Sequence, residues 1–124
     1  MANIIKKKNV VIVYLAGDVI VSLELKALQI DLAAAFSGEH KNVILNFERT
    51  EYISAGGVEL IVSFLKKARK EKGDIKFLKV NEHIKKLLQI VGVIKFVECF
   101  EEEKEALASF NESVSVMEKN LLWE

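Results

Sequence analysis

Along the chain the spacing of apolar positions switches between a strand period and a helix period, and the switches mark the predicted elements. Ile4-Ile5 and Val10 to Leu15 read as two strands around the polar turn Lys6-Lys7-Lys8-Asn9, and Ala16-Gly17-Asp18 breaks the second. Leu25, Leu28, Leu32 and Phe36 then recur at helical spacing, with Ser22 as the predicted N-cap and Gly38 as the stop. Asn42 to Phe47 is a third strand, whose run Val43, Ile44, Leu45 and Phe47 is of the fully buried type. A second helix is predicted over Val58 to Lys72, with Val58, Ile61, Val62, Leu65 and Ala68 on one face and Gly73 closing it. Ile75 to Val80 is a fourth strand. Asn81 caps a short helix bearing Ile84, Leu87, Leu88 and Val91, ended by Gly92. Ile94 to Phe100 is the last strand, and a final helix starts near Glu101, where Glu101, Glu102 and Glu103 suit a helix N-terminus. The order β-β-α-β-α-β-α-β-α implies an α/β fold, with a mostly parallel sheet following an N-terminal β-hairpin.

Composition narrows the class. At 124 residues, 51% of them hydrophobic, the chain can bury a real core and is expected to form one domain over 1–124. Its 18 basic and 18 acidic residues cancel, which argues against generic nucleic-acid binding. The longest apolar runs, such as Val10 to Leu15, fall far short of the roughly 20 residues a membrane-spanning helix needs. The opening MANIIKKKN lacks the apolar core of a secretory signal, so the expectation is a cytoplasmic protein without membrane insertion. Cys99 is the only cysteine, so no internal disulfide is possible, and it reads as a small hydrophobe of the last strand.

The chemistry concentrates between Val43 and Gly73. Ser54-Ala55-Gly56-Gly57 are four small residues where the second helix should begin, a place where backbone N–H groups are exposed and another surface can approach closely. Catalysis is not expected there. A serine nucleophile needs a base, and the two histidines, His40 and His83, sit in the charged segments GEHKN and NEHIKK. Glu48, Glu51 and Glu59 flank the loop without a spacing that singles out an acid/base pair. One cysteine and two scattered histidines make no metal pattern, and Gly56-Gly57 lacks the Lys-Ser/Thr of a phosphate-binding loop, so neither metal nor cofactor is expected.

Tyr52-Ile53-Ser54-Ala55-Gly56-Gly57-Val58, lying between an apolar strand and a helix that closes at Gly73, resembles the signature of the STAS domain, the module of bacterial anti-sigma-factor antagonists. The likeness covers roughly residues 4 to 110. It implies a mixed sheet with helices mainly on one face. It also implies a non-enzymatic regulator that binds a kinase-type anti-sigma factor and so releases a sigma factor. The binding surface would be Ser54, Ala55, Gly56, Gly57, Val58 and Glu59. In phosphorylatable members the partner modifies the second residue of a Ser-Ser or Ser-Thr pair. Here that position is Gly56, the first of the pair is Ala55, the preceding aspartate is Ser54, and the strand's final aspartate is Asn46. The resemblance therefore carries no usual acceptor, and Ser54 is the only substitute at the loop tip. An alternative within the same fold is a structural or adaptor subunit of a larger signalling or lipid-transport assembly.

Past the expected domain core, Leu107, Phe110, Val114, Met117 and Leu121 recur at alternating steps of three and four, an a/d seam. A helical extension over about 111–124 is expected. Val114, Met117 and Leu121, with Trp123 beyond them, would then form either an interface to a second chain or a strip folded back on the domain.

Overall fold

Five strands carry the molecule, and the alternation of their side chains decides which helix covers which face. The computed structural model describes residues 2–39 and 41–110. β1 (Asn3–Lys7) and β2 (Val10–Tyr14) pair antiparallel across the Lys8-Asn9 turn, with Lys8 in the left-handed region at φ 54°. β3 (Asn42–Asn46), β4 (Asp74–Leu78) and β5 (Cys99–Phe100) then add in parallel, giving the sheet order β1-β2-β3-β4-β5.

Val11, Val13, Val43, Leu45, Ile75 and Phe77 point to one face, where they meet Leu28 and Leu32 of α1 (Ser22–Ala35), Ile61 and Leu65 of α2 (Ala55–Lys70), and Ile84 and Leu88 of α3 (Glu82–Ile90). The intervening Val10, Ile12, Ile44 and Leu78 point to the other face, under Ala106 of α4 (Glu103–Ser109). Coverage on both faces is why the strands read as continuous apolar runs. Each fully buried Leu or Ile of this core contributes about 1.5–3 kcal/mol. No helix among the described residues is long and apolar enough to cross a membrane.

The α4 face is also held by charge. Tyr14 donates its hydroxyl to Glu103 Oε1 at 2.5 Å, and Lys7 Nζ donates to Glu103 Oε2 at 2.6 Å. At the other end of α4, the fully buried Lys76 donates to Ser109 Oγ at 2.7 Å, and its Nζ lies 4.4 Å from the centroid of the Phe110 ring.

Several local expectations change. α1 is capped from Val21 rather than Ser22, which is already helical; Glu24 Oε1 accepts from the Ile20 and Val21 N–H groups and does the work expected of a serine hydroxyl. α1 ends at Ala35, before Gly38, and α4 starts at Glu103 rather than Glu101. α2 closes with Lys72, not Gly73, in the left-handed conformation (φ 67°), and the Gly73 N–H bonds the Ala68 carbonyl at 2.8 Å. Gly73 is required by proximity, since a Cβ there would lie 2.0 Å from the Lys41 carbonyl oxygen. The last strand shrinks to Cys99–Phe100 because Val93 and Val97 enter the core from a turn, with the Phe96 N–H bonding the Val93 carbonyl. Arg69, part of the basic run at the end of α2, is buried and donates to Asp74 Oδ1 at 2.9 Å. Cys99 sits half-buried against the core, as expected.

Candidate functional site

The loop from β3 to α2 is built by its neighbours. Asn46 Oδ1 accepts from the Glu48 N–H at 2.8 Å, which turns the chain directly after the strand. Thr50, 1% exposed, donates its hydroxyl to the Gly17 carbonyl. Asp18 Oδ1 accepts from the Glu51 and Tyr52 N–H groups at 2.8 and 3.2 Å. Asn81 Nδ2 donates to the Glu51 carbonyl at 3.0 Å while its Oδ1 caps α3 through the Ile84 N–H. Val19 and Ile53 form a parallel bridge, with the Ser54 N–H bonded to the Val19 carbonyl at 2.7 Å. The backbone of the loop thus arrives at Ser54 already fixed from the chain after β2 and the start of α3.

Ser54 is the N-cap of α2: its Oγ accepts from the Gly57 N–H at 3.1 Å. The helix begins at Ala55, three residues before the expected Val58, so Gly56 and Gly57 form its first turn rather than a loop. The six candidate residues divide by direction. Ala55, Gly56 and Glu59 are exposed and Ser54 is half-buried. Gly57 and Val58 face the core, Val58 only 2% exposed. The two glycines differ as sharply. A Cβ on Gly57 would come within 2.6 Å of Ile53 Cγ1 and 3.2 Å of Val19 Cγ1, whereas one on Gly56 would meet only ordinary contacts at 3.7 Å.

A groove runs along each flank of this helix start. One, of about 550 Å³, lies between α1 and α2 and includes Leu23, Leu25, Lys26, Gly56 and Leu60. The other, of about 420 Å³, lies between α2 and the end of α3 and includes Ala55, Glu59, Val62, Lys66 and Val91. Large apolar side chains stand in water nearby: Ile20, Val21 and Leu23 at the start of α1, and Tyr52, whose ring lies 5.4 Å from that of His83. Periodicity could have revealed Ile20, Val21 and Leu23, which lie off the Leu25-Leu28-Leu32 face. The anchoring bonds of Asp18 and Asn81 span 33 and 30 residues and leave no local signal. His40 and the extension bearing Val114, Met117 and Leu121 lie outside the described residues.

The model of the STAS domain matches residues 1–106. The chain belongs to the STAS domain family. Among its relatives is BtrV of Bordetella bronchiseptica, named as an anti-sigma factor antagonist, 24% identical over 92 residues that span 74% of this chain and 79% of the relative. Solved structures share the STAS fold. An anti-sigma factor antagonist from Mycobacterium paratuberculosis superposes with a TM-score of 0.79 at 15% identity, covering 90% of this chain and 94% of that one. The Bacillus cell fate determinant SpoIIAA in its phosphorylated form gives 0.69 at 20% identity, covering 89% and 99%. The mixed sheet with an opening hairpin, expected from sequence, is the arrangement found.

Proposed function

We propose that this STAS domain is a non-enzymatic, cytoplasmic regulator that binds a kinase-type anti-sigma factor at the start of α2 and thereby frees a sigma factor. The observation that carries this reading is the first turn of α2: Ala55 and Gly56 are exposed, small, and flanked by a groove on each side. Small residues let a second surface reach the helix backbone, and the half-wet apolar side chains around them supply the area a protein interface needs. The loop's hydrogen bonds fix this shape before any partner arrives, so little ordering entropy is spent on binding. Ser54, Ala55, Gly56 and Glu59 would touch the partner, while Gly57 and Val58 would hold the turn in place from behind.

Control by phosphate is absent from this reading. Gly56 has no hydroxyl at the family's acceptor position, and the Ser54 oxygen is engaged as the helix cap. The test is to mix the purified chain with an anti-sigma factor of its source cell that holds its sigma factor, with ATP present. The expected result is a complex with the antagonist, release of sigma, and no phosphate on the chain by mass spectrometry. A sigma complex that stays intact would remove the reading, and stoichiometric phosphate on Ser54 would show an acceptor moved by two residues.

A further inference from the structure

α1 is apolar on two opposite sides. Its inner stripe, Leu28, Leu32 and Ala35, is buried in the core against the sheet. Its outer stripe, Leu23, Ala27, Ile30 and Ala34, is exposed, Leu23 by 77% and Ile30 by 64%. The outward positions of α2 are Glu59, Ser63, Lys66, Lys67 and Lys70, the polar side usual for a helix facing water. α1 has no such side. Its outer stripe steps by four, three and four residues, the spacing of a seam between two helices. No charge interrupts it, and the exposed Lys26 borders it one turn before Ile30.

We propose that this stripe packs on the same stripe of a second copy of the chain, antiparallel about a two-fold axis. The order of side-chain sizes argues for that occupant. From Leu23 to Ala34 the stripe runs large, small, large, small, and turned end for end it runs small, large, small, large. Leu23 of one copy then lies over Ala34 of the other, and Ile30 over Ala27. Each contact repeats across the axis, as a two-fold interface demands. A parallel pair would instead set Leu23 on Leu23 and leave alanine facing alanine. The alanines let the two helices approach, and the large side chains fill the space beside them. The stripe is about 16 Å long, and Ile20 and Val21, exposed just ahead of the helix, extend it. That is small beside the roughly 1,000 Å² of a stable interface, so the dimer is weak and reversible. Ile30 lines neither groove beside α2, so the pairing stands or falls apart from the docking reading.

The test is dilution of the full ¹⁵N-labelled chain, with sedimentation equilibrium on the same samples. The amides of residues 23–34 should shift with protein concentration, and the mass should rise towards that of a dimer with Kd between about 10 μM and 1 mM. Ile30→Lys places a charge in the seam beside Lys26 of the other copy and should weaken association at least about tenfold. Ala27→Trp fills the space that Ile30 of the other copy enters and should weaken it similarly. Both positions are exposed, so melting of the dilute chain should stay near that of the parent. No concentration dependence up to about 1 mM would overturn the proposal, as would shifts confined to other residues, the 111–124 end included. Association that survives Ile30→Lys would overturn it too, and so would association tightened by Ala27→Trp. Growth past the dimer would show an open contact rather than a two-fold one and would equally overturn it.

Discussion

The start of α2 and the α4 face are both surfaces where the chain leaves the sheet, yet they are held by different forces. At the α2 start, Asp18, Thr50 and Asn81 hold backbone groups, and the inner side of the turn closes by contact of Gly57 with Ile53 and Val19. At α4, one carboxylate takes two donors, from Tyr14 and Lys7, and a buried lysine ties down the far end through Ser109. The contrast teaches that contact shape closes the α2 start while ionisation clamps the α4 face. Perturbing shape should damage the first, and perturbing pH the second.

The largest effect should come from Gly57→Val. Added carbons must enter space that Ile53 and Val19 already occupy, so denaturant unfolding should show a loss of about 2–3 kcal/mol. A loss no larger than that of an exposed helix position would mean the turn is not closed by contact. Removing charge from the other face should cost less: Glu103→Gln should lower stability by about 1 kcal/mol.

That second loss has a pH signature. Lys7 and Tyr14 hold the Glu103 carboxyl below its ordinary value of 4.5, so its contribution is present above that value and fades as pH falls through the lowered one. Tyr14 is pushed up from 10.0 to about 12, chiefly by its bond to Glu103. Its contribution is present below pH 10.0 and is lost as pH rises through about 12. In Glu103→Gln the acid-side dependence should flatten, which equilibrium unfolding across pH would show.

These two regions were unequally legible in the sequence. The strand runs and the helix faces of Leu28-Leu32 and Ile61-Leu65 announce themselves, because burial imposes a period that survives in one dimension. The Ser54–Gly57 turn was legible as the start of a helix, but its division was not: nothing in Gly56-Gly57 says which glycine meets Ile53. The α4 clasp was illegible because Tyr14 and Glu103 lie 89 residues apart, and Lys76 in an apolar run looks like an outward-facing lysine until Ser109 and Phe110 cover it. Only the Cys99–Phe100 end of the expected strand Ile94 to Phe100 pairs in the sheet, because a buried turn and a buried strand show similar apolar patterns.

Smaller effects sharpen the comparison. Gly56→Ala should stabilise the chain by about 0.5–1 kcal/mol, since alanine favours the helix and its Cβ meets only ordinary contacts. Thermal melting would show it, and a loss would mean the outer side of the turn is as closed as the inner. If the a/d seam of Val114, Met117 and Leu121 is an interface, removal of residues 112–124 should lower the apparent mass in solution. If the strip folds back, it should lower the melting temperature instead.

The central claim is that the outer side of the first turn of α2 is the docking surface, and calorimetry of Gly56→Asp against the anti-sigma factor tests it most directly. The substitution adds bulk and a negative charge at an exposed position, the one that the resemblance equates with the acceptor of phosphorylatable members, so affinity should fall by about tenfold or more while the melting temperature stays near that of the parent chain. Unchanged affinity with the fold intact would contradict the account and remove this turn from the interface.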